Sequence, residues 1–455
     1  MKRTLIIVLC ICFLASAKAQ ETSAKFPDEL KRAMADSVRN AAAHAWKGYM
    51  DHAKGYDDLR PLTLAGRNWY SHSLLMTPVD AFDSFVFMAL DKEVKESAGL
   101  ILNTLNFDVD MEVQVFEITI RQLGALITAY ELTNNPKFLS LAKDLGTRLL
   151  PAFNTKTGLP VRYVNLKTGA LRDSINNPAE IGTLFLEFGK LSQLTKDPVY
   201  YNKAYKAIMG VYTRKSKIGL VGERIDVISG KWVGEDAHIS GYIDSYYEYL
   251  YKGALLFHDN NLMKAFRVHE KAIKKYLVVP TAHGNFMQQV NMFTGKRTGT
   301  LYGALDAFYA GLAAFAGDVP LAEKIQEANY YMWTKFNLEP ESFDFMKDSV
   351  TSAYYILRPE NLESCFYLYR LTHNDKYLWM GKRMVDDILR NCRTDAAFAS
   401  LRNVVKKEQM NSMESFFFAE TLKYAYLLFA PESTLDLKKY VFNTEAHPFL
   451  IKPSK

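Results

Sequence analysis

Residues 357–370 read LRPENLESCFYLYR, and this stretch shows the plan on which the rest of the chain is built. Pro359 suits the first position of a helix, because the N–H that proline lacks has no partner there. Glu360 and Glu363 follow three residues apart, on one face and at the positive end of the helix dipole. A run of apolar residues comes next. Taken alone, the stretch predicts a helix with acids in its first turn.

The same succession of helix, short polar turn and helix recurs along the chain. After the first step, the turns follow one another at intervals of roughly 60 residues. They lie at residues 89–92, 132–136, 194–198, 257–261, 316–320, 371–375 and 429–432. Because polar residues, Pro and Gly between helical patterns mark turns, this spacing predicts seven helical hairpins. A further amphipathic helix is expected over residues 26–53, before the first hairpin.

Long connections separate one helical hairpin from the next. Three of them contain strand-like pairs with a Gly turn, at residues 161–171, 219–233 and 285–296. In an antiparallel alternation all long connections fall at one end of the helices, and that end is usually the binding face. Both an open solenoid and a closed ring of paired helices fit this pattern.

The composition indicates a globular chain that begins with a secretion signal. With 455 residues, of which 49% are hydrophobic and 23% charged, it can bury a large core. Residues 1–19 combine a basic start, an apolar run too short to span a bilayer and a small-x-small cleavage site. We therefore expect a bacterial-type signal peptide at 1–19, one domain over 20–455, and a secreted or periplasmic protein that leaves the membrane after cleavage. A retained N-terminal anchor is the alternative.

Charge and cysteine content exclude several classes of function. Removing Lys2, Arg3 and Lys18 with the leader lowers the net charge from +6 to about +3, which gives no case for nucleic acid. Two of the four cysteines, Cys10 and Cys12, are removed with the signal peptide. Cys365 and Cys392 remain, too few for a disulfide framework or a metal cluster. Both lie in apolar helical stretches, so two buried free thiols are expected, with one disulfide as the alternative.

Acidic residues recur in or near the first turns of the helices that follow the long connections. They are Asp80, Asp83, Glu117, Glu180, Asp244, Glu360, Glu363 and Glu414, with Glu420 deeper in the last helix. Singly, each acid is explained by the helix dipole, or for Glu117 by an ion pair with Arg121. If the ring closes, they converge on one cavity mouth. Such a cluster suits a hard cation, sugar hydroxyls, or acid and base catalysis on a glycosidic bond. Nearby aromatics at 246–247 and 416–417 suit sugar faces or the core.

Several stretches resemble glycoside hydrolase family 47, the class I α-1,2-mannosidases. The resemblance runs in order from about residue 45 to residue 449. Its longest motifs are VFEITIR at 115–121, DSYYEYL at 244–250, RPENLESCFYLY at 358–369, MESFFFAETLKY at 413–424 and YVFNTEAHP at 440–448. Shorter matches are GYDDL at 55–59 and VDAFD at 79–83. The resemblance implies an all-α fold, a single (α/α)7 barrel with small β-hairpins in the long loops on one face.

The resemblance also implies chemistry. Ca²⁺ would lie at the base of the cavity, held by the backbone carbonyl and hydroxyl of Thr444, by waters and by two sugar hydroxyls. Glu117 resembles the general acid, Glu360 the base, and Asp244 the third catalytic carboxylate. Whether Glu117 or Asp244 delivers the proton stays open. The positions that would hold the sugar or the waters of the ion are Arg121, Glu180, Arg358, Glu363, Phe416, Glu420 and Glu445.

Two positions depart from the pattern of the family. Tyr242 stands where eukaryotic processing members often have Arg, and residues 302–308 lack the His that many members carry in the corresponding stretch. The preference of family members for one branch of an N-glycan therefore cannot be transferred to this chain. We expect a binding site that is more open on the leaving-group side of the scissile bond.

We expect a monomeric, calcium-dependent, inverting exo-α-1,2-mannosidase. Its substrates would be high-mannose N-glycans, mannan or small mannose oligosaccharides. The alternatives are a non-catalytic mannose-binding barrel and a helical-repeat scaffold for protein partners.

Overall fold

The computed structural model describes residues 25–452, which form a closed ring of seven inner and seven outer helical segments. The expected leader lies outside these residues. The inner segments are Met76–Phe87, Val115–Ile118 with Thr119–Leu123 and Gly124–Thr133, Pro178–Gly182 with Phe185–Thr195, Asp244–Phe257, Leu305–Ala307 with Phe308–Phe315, Glu360–Thr372, and Phe417–Leu422 with Lys423–Phe429. The outer segments are Asp28–His52, Asp91–Thr104, Pro136–Leu149, Pro198–Tyr212, Asn260–Tyr276, Val319–Phe336 and Lys376–Asn391. Short 3₁₀ turns cover Leu150–Phe153 and Glu432–Thr434.

Sequence pattern decides which helices are inner and which are outer. In the inner helix Glu360–Thr372 every residue from Glu360 to Tyr369 is buried. In the outer helix Lys376–Asn391 only one stripe is buried, and the charged residues other than Asp387 lie outside it. A helix that is buried on all sides is enclosed by others, whereas an amphipathic helix that buries one stripe covers them. Among residues 25–452, no helix is both long and apolar enough to cross a membrane.

The turns from inner to outer helices have a common construction. A residue in the left-handed conformation follows each of the first six inner helices; these residues are Ala89, Asn134, Lys196, His258, Gly317 and His373. The side chains of Asn135, Asp197, Asp259 and Asp318 then accept hydrogen bonds from backbone N–H groups of the next helix. Left-handed ends followed by Asn or Asp caps satisfy the free backbone groups of both helices within very few residues.

The seventh pair of helices is closed differently from the other six. The last inner helix, Lys423–Phe429, packs against Asp28–His52 from the beginning of the chain. The (α/α)7 barrel is confirmed, but the prediction of a seventh hairpin around residues 429–432 is wrong. After Pro431 the described chain forms a short 3₁₀ turn and two strands, and no outer helix. The helix expected as an addition at 26–53 supplies the missing partner.

Within the described residues, seven small antiparallel sheets lie on the face where the inner helices begin, as the long connections predicted. The two-stranded sheets are Asp58–Arg60 with Ala65–Arg67, Val278–Thr281 with Gly284–Met287, and Ser400–Asn403 with Glu408–Met410. The three-stranded sheets are Glu112–Gln114, Tyr163–Asn165 and Leu171–Arg172; Ile175–Asn176, Arg224–Asp226 and Lys231–Gly234; Asp236–Ala237, Gln289–Asn291 and Arg297–Gly299; and Leu301–Gly303, Ser342–Asp344 and Ser349–Ser352. Each three-stranded sheet joins one connection to the next, so the loops around this face support one another.

An eighth sheet, Tyr440–Phe442 with Pro448–Leu450, lies at the opposite end of the barrel. Its loop, residues 443–447, enters the ring between the inner helices. The Asn443 side-chain amide donates to the Ile120 carbonyl and to Glu187, both at 2.8 Å. The Thr444 N–H donates to the Tyr249 hydroxyl at 3.2 Å, and Lys423 donates to the Ala446 carbonyl at 2.6 Å. We call residues 443–447 the plug loop, because they close one end of the barrel.

Candidate active site

A cavity of about 570 Å³ lies inside the ring, between the beginnings of the inner helices and the plug loop. Eleven residues were predicted to form the site, and all eleven line this cavity. They are Glu117, Arg121, Glu180, Asp244, Arg358, Glu360, Glu363, Phe416, Glu420, Thr444 and Glu445. Residues separated by more than 300 positions in the sequence are therefore brought to one place by closure of the ring.

Arg121 links three carboxylates on one side of the cavity. Its Nε donates to Glu117 Oε2 at 2.9 Å, and its Nη1 pairs closely with Glu445 and lies 3.4 Å from Asp80 Oδ2. Burial alone would lower the pKa of Arg121, but Glu445, Glu117 and Asp80 raise it well above its usual value. The guanidinium therefore stays charged and fixes the position of Glu117.

Arg358 and Glu360 form the opposite side of the cavity. A two-pronged ion pair to Glu341, at 3.0 and 2.5 Å, orients Arg358, and Arg358 Nη1 lies 3.7 Å from Glu360 Oε1. The other oxygen of Glu360, Oε2, is buried and has no hydrogen-bond partner among residues 25–452. Burial raises the pKa of Glu360 to about 7; Arg358 opposes this rise, and Glu341 and Asp244 add to it. A carboxylate with a free oxygen and a pKa in this range suits a general base.

Asp244 begins the fourth inner helix. Its Oδ1 accepts hydrogen bonds from the Ser245 N–H at 2.7 Å and from the Ser245 hydroxyl at 3.1 Å. Desolvation inside the ring raises the pKa of Asp244 to about 6, while the two bonds from Ser245 act in the opposite direction. The carboxyl group can therefore exchange a proton near neutral pH, which either an acid or a base in catalysis requires.

Three further buried carboxylates line the cavity, and one of them, Glu445, belongs to the plug loop. Burial raises the pKa of Glu363 to about 8, with Lys252 opposing and Glu248 and Glu360 adding to the rise. Burial also raises the pKa of Glu445 to about 8, against the effect of Arg121. The pKa of Glu420 lies well above its usual value because of burial and the neighbouring Glu445, Glu360 and Glu363. So many acids around one space favour occupation by a cation or by hydrogen-bond donors.

The base of the cavity fits a hard cation that is bound by oxygen atoms. Thr444 lines it and offers a backbone carbonyl and a hydroxyl. The neighbouring side chains are carboxylates, and Glu360 Oε2 has no hydrogen-bond partner in the described part of the chain. Within residues 25–452, no group of three or more His, Cys, Asp and Glu side chains has the arrangement of a metal cluster. An ion at this place would therefore depend on Thr444 and on water, a shell that Ca²⁺ accepts.

Glu180 is held at the beginning of the third inner helix. The Asn177 side chain accepts from the Glu180 N–H and donates to Glu180 Oε1, both at 2.9 Å. Arg162 donates two hydrogen bonds to the same carboxylate, at 2.9 and 2.7 Å. This arrangement leaves a fixed polar surface beside Glu117, on which sugar hydroxyls could bind.

Some acids that were expected at the cavity mouth have other positions. Asp80 and Asp83 are buried below the cavity, where Asp83 pairs with Lys423 at 3.0 Å and with His447 at 3.1 Å. Glu414 accepts a hydrogen bond from Ser412 and does not line the cavity. Acids in first turns indicate where helices begin. They do not indicate whether a side chain points into the cavity, because that direction depends on packing between helices.

The aromatic residues near the helix starts divide between cavity and core. The Phe416 ring lies in the cavity wall between the guanidinium groups of Arg121 and Arg358, each 5.7 Å from its centre. Tyr246, Tyr247 and Phe417 are fully buried in the core, which was the second of the two expected roles. Cys365 and Cys392 are both buried and free, so the expectation of two free thiols is met.

Sequence reasoning missed two features of the site. Inner helices two and seven contain π-helical turns, Thr119–Leu123 and Phe417–Leu422, which carry Arg121 and Glu420. Such turns are frequent at functional sites, yet they leave no periodic signal in the sequence. Glu248 and Glu341 also line the cavity, and each pairs with a basic residue. Only the Glu248–Lys252 pair had a sequence signal, since the two residues are four positions apart.

Comparison with known proteins agrees with this site. Residues 41–451 match Glycosyl hydrolase family 47. The chain is 36% identical to the mouse ER degradation-enhancing alpha-mannosidase-like protein 2, over 91% of this chain and 77% of that protein. It is 34% identical to the Arabidopsis mannosyl-oligosaccharide 1,2-alpha-mannosidase MNS1, over 93% of this chain and 80% of the relative. The solved alpha-1,2-mannosidase from Trichoderma reesei superimposes with a TM-score of 0.86 at 29% identity, covering 92% of this chain and 99% of that one.

The helical barrel and its cavity of paired acids are those of a glycoside hydrolase. More particularly, the chain belongs to glycosyl hydrolase family 47, the class I α-mannosidases.

Proposed function

We propose that this protein is a secreted or periplasmic, calcium-dependent, inverting exo-α-1,2-mannosidase. Its substrates would be high-mannose N-glycans, mannan or mannose oligosaccharides with terminal α-1,2-linked mannose. The observation that carries the proposal is the single cavity in which Glu117, Asp244, Glu360 and Thr444 meet. The names of the Arabidopsis and Trichoderma relatives support α-1,2-mannose as the substrate.

In this proposal Glu360 acts as the base that removes a proton from the attacking water. Its free Oε2 is available to that water, while Arg358 holds the rest of the carboxylate. Either Glu117 or Asp244 gives the proton to the leaving oxygen, directly or through a water. Inversion requires about 6.5–9.5 Å between acid and base, so that a water fits between the base and the sugar.

Thr444 would hold Ca²⁺ through its carbonyl and hydroxyl oxygens. The bound cation would supply positive charge that fixes two sugar hydroxyls and offsets the surrounding carboxylates. The chain's own contribution is to keep the Thr444 loop rigid, which the bonds from Asn443 to Ile120 and from Thr444 to Tyr249 support.

The closed end of the barrel supports removal of terminal sugars. Because the plug loop fills one end of the ring, a glycan has access only from the face that carries the seven small sheets. A chain that enters a closed pocket places its end at the base, so only the terminal residue reaches Glu360.

The test is incubation of the protein with α-1,2-mannobiose, with and without EDTA. We expect mannose release that EDTA abolishes and added Ca²⁺ restores. α-1,3-Mannobiose serves as the matched control and should stay intact. NMR of the first product should show the β-anomer. No release from α-1,2-mannobiose, or release that is indifferent to the chelator, would contradict the proposal.

A further inference from the structure

Charge is distributed unevenly among the outer helices of the barrel. The outer helix of the fourth pair, Asn260–Tyr276, has five basic residues against one acid, a net charge of +4. The net charges of the other six outer helices lie between −1, in Asp91–Thr104 with two basic residues and three acids, and +2. All seven helices cover inner helices in the same way, so the fold alone does not require this excess of positive charge.

The basic residues of Asn260–Tyr276 lie on its exposed side; they are Lys264, Arg267, Lys271, Lys274 and Lys275. Arg267 and Lys274 pair with the buried Glu270 at 2.8 and 3.0 Å, and Lys274 also pairs with Asp318 at 2.7 Å. The other three lysines form no ion pair within residues 25–452. Because like charges four residues apart destabilise a helix, this row of cations does not serve the stability of the helix.

The third pair of helices extends the positive surface. Its outer helix, Pro198–Tyr212, is followed by Arg214, Lys215 and the exposed Lys217. The two outer helices are neighbours, because the Tyr212 ring centre lies 5.7 Å from that of His269 and His269 Nδ1 lies 2.7 Å from the Gly219 carbonyl. We call the exposed side of residues 214–217 and 264–275 the basic flank.

Apolar side chains are exposed within the basic flank and at its edge. Val268 is 37% exposed between the cations of its helix, and Phe293 is 50% exposed in a hairpin turn. A Cβ at Gly295, in the same turn, would lie 2.6 Å from the Tyr276 ring, so this turn packs against the end of Asn260–Tyr276. The turn also carries the exposed Lys296. Cations and apolar groups are thus exposed side by side.

We propose that the basic flank binds the surface of a bilayer that contains anionic phospholipids. Phosphate headgroups attract the lysines and arginines, and exposed apolar side chains enter the boundary between headgroups and acyl chains. A soluble polyanion would match the charges alone and would gain nothing from Phe293 and Val268, so these two residues favour a bilayer.

Binding by the basic flank would be peripheral and reversible, at a membrane surface to which the protein returns after cleavage of its leader. The flank is the side of the barrel, whereas the cavity opens on the face that carries the seven small sheets. The bound protein would therefore keep its cavity accessible to glycans at the same surface.

The first test is sedimentation of the protein with vesicles of phosphatidylcholine, alone or mixed with phosphatidylglycerol. We expect binding to the mixed vesicles that salt weakens, and little binding to phosphatidylcholine alone. The double variant Lys264→Ala with Lys271→Ala should bind the mixed vesicles on the order of 25-fold more weakly, about five-fold for each lysine. The matched control, Lys92→Ala with Lys95→Ala, removes two exposed lysines from Asp91–Thr104, three pairs away around the ring, and should bind like wild type.

The second test concerns the apolar contribution. Phe293→Ser should weaken binding to the mixed vesicles about five-fold to ten-fold, because the ring no longer enters the lipid. Its binding to dextran sulfate, a soluble polyanion, should equal that of wild type. Leu371→Ser is the control, since Leu371 is 40% exposed at the opposite end of the barrel, and it should change neither measurement.

Three results would overturn the inference. The first is that wild type does not bind the mixed vesicles, and the second is that the double lysine variant of the basic flank binds them as tightly as wild type. The third is equal vesicle binding by Phe293→Ser and wild type, because the ligand would then be recognised by charge alone. Mannose release plays no part in these measurements, so they decide the inference even if the proposed function fails.

Discussion

The base of the cavity and its mouth are built in opposite ways. Below the base, Asp83, Lys423 and His447 are at most 1% exposed and are joined by ion pairs. Burial tends to raise the pKa of Asp83, but Lys423 and His447 lower it overall. At the mouth, Tyr242 is largely exposed, and its ring has no aromatic or cationic partner among residues 25–452. The charged network fixes the plug loop, whereas the mouth leaves side chains free for a ligand.

The difference between base and mouth indicates which part of the cavity must be rigid. Groups that act on a bond must be held within a fraction of an ångström, and buried paired charges achieve this. Groups that choose among larger ligands need exposed surface more than fixed partners. Substitutions at the base should therefore affect rate and folding, and substitutions at the mouth should affect affinity and little else.

The largest effect is expected from Glu360→Gln. The amide cannot accept a proton from water, so kcat should fall by about 10²–10⁴-fold. The fold should be unchanged, because glutamine has nearly the same shape and Glu360 Oε2 makes no hydrogen bond. Mannose release and circular dichroism measure the two quantities. Glu408→Gln, at an exposed hairpin, is the control. An unchanged rate would remove Glu360 from the role of base.

Lys423→Met should be the most destabilising single change. It leaves Asp83 charged and buried with His447 as its remaining cationic partner, and breaking a buried pair costs about 3–5 kcal/mol. Urea denaturation gives the loss of unfolding free energy. Lys439→Met removes an exposed lysine 3.9 Å from Asp436 and should have almost no effect. Equal stability of the two variants would show that the buried network does not hold the barrel together.

The stability of the metal-free protein should depend on pH. The pKa values of Glu360 and Glu363 rise on folding to about 7 and about 8, from an ordinary value of 4.5. A raised carboxyl pKa gives stability that is complete below pH about 4.5 and is lost as the pH rises through the folded pKa values. In EDTA, the melting temperature should therefore fall between pH 5 and pH 8.

Two comparisons sharpen this prediction. Ca²⁺ should reduce the fall, because a cation favours the ionised carboxylates. The double variant Glu360→Gln with Glu363→Gln should show a shallower fall than wild type in EDTA. A melting temperature that rises over this range in EDTA would show that these carboxyls ionise freely in the folded protein.

The smallest effect is expected from Tyr242→Gly, which tests the mouth. The φ of Tyr242 is +76°, in the left-handed region that a bulky residue adopts rarely. Glycine removes this strain of about 1–2 kcal/mol, and its greater freedom in the unfolded chain takes back part of the gain. Unfolding free energy should therefore rise by up to about 1 kcal/mol. Tyr242→Ala keeps a Cβ and should show no such gain. Destabilisation by glycine would mean that the ring supports the fold after all.

Much of the fold could be predicted because it repeats. Turns such as 132–136 and 194–198 recur at a nearly constant interval, and each inner helix has its own apolar run. The seventh pair could not be predicted in this way. Its two helices lie at opposite ends of the sequence, and no local pattern relates Asp28–His52 to Lys423–Phe429. The π-helical turn at Thr119–Leu123 was equally invisible, because it depends on packing.

The candidate site was predicted partly from residues and partly from resemblance. Helix starts identified Glu117, Asp244 and Glu360, because acids favour that end of a helix. The same rule included Asp80, which lies below the cavity, since the rule gives the position of a residue and not the direction of its side chain. Thr444 came from the resemblance alone; as a threonine in a loop it has no pattern of its own.

The pairing of the first described helix with the last has a consequence for biosynthesis. During synthesis from the N-terminus, Asp28–His52 emerges early, and the part of its buried face that packs on Lys423–Phe429 must wait for a helix nearly four hundred residues later. Until then this part of its apolar stripe is uncovered and available to chaperones or to other nascent chains. A late stop codon that removes only the final helix and the plug loop would therefore prevent closure of the ring of helices. We expect such truncated chains to aggregate or to be degraded.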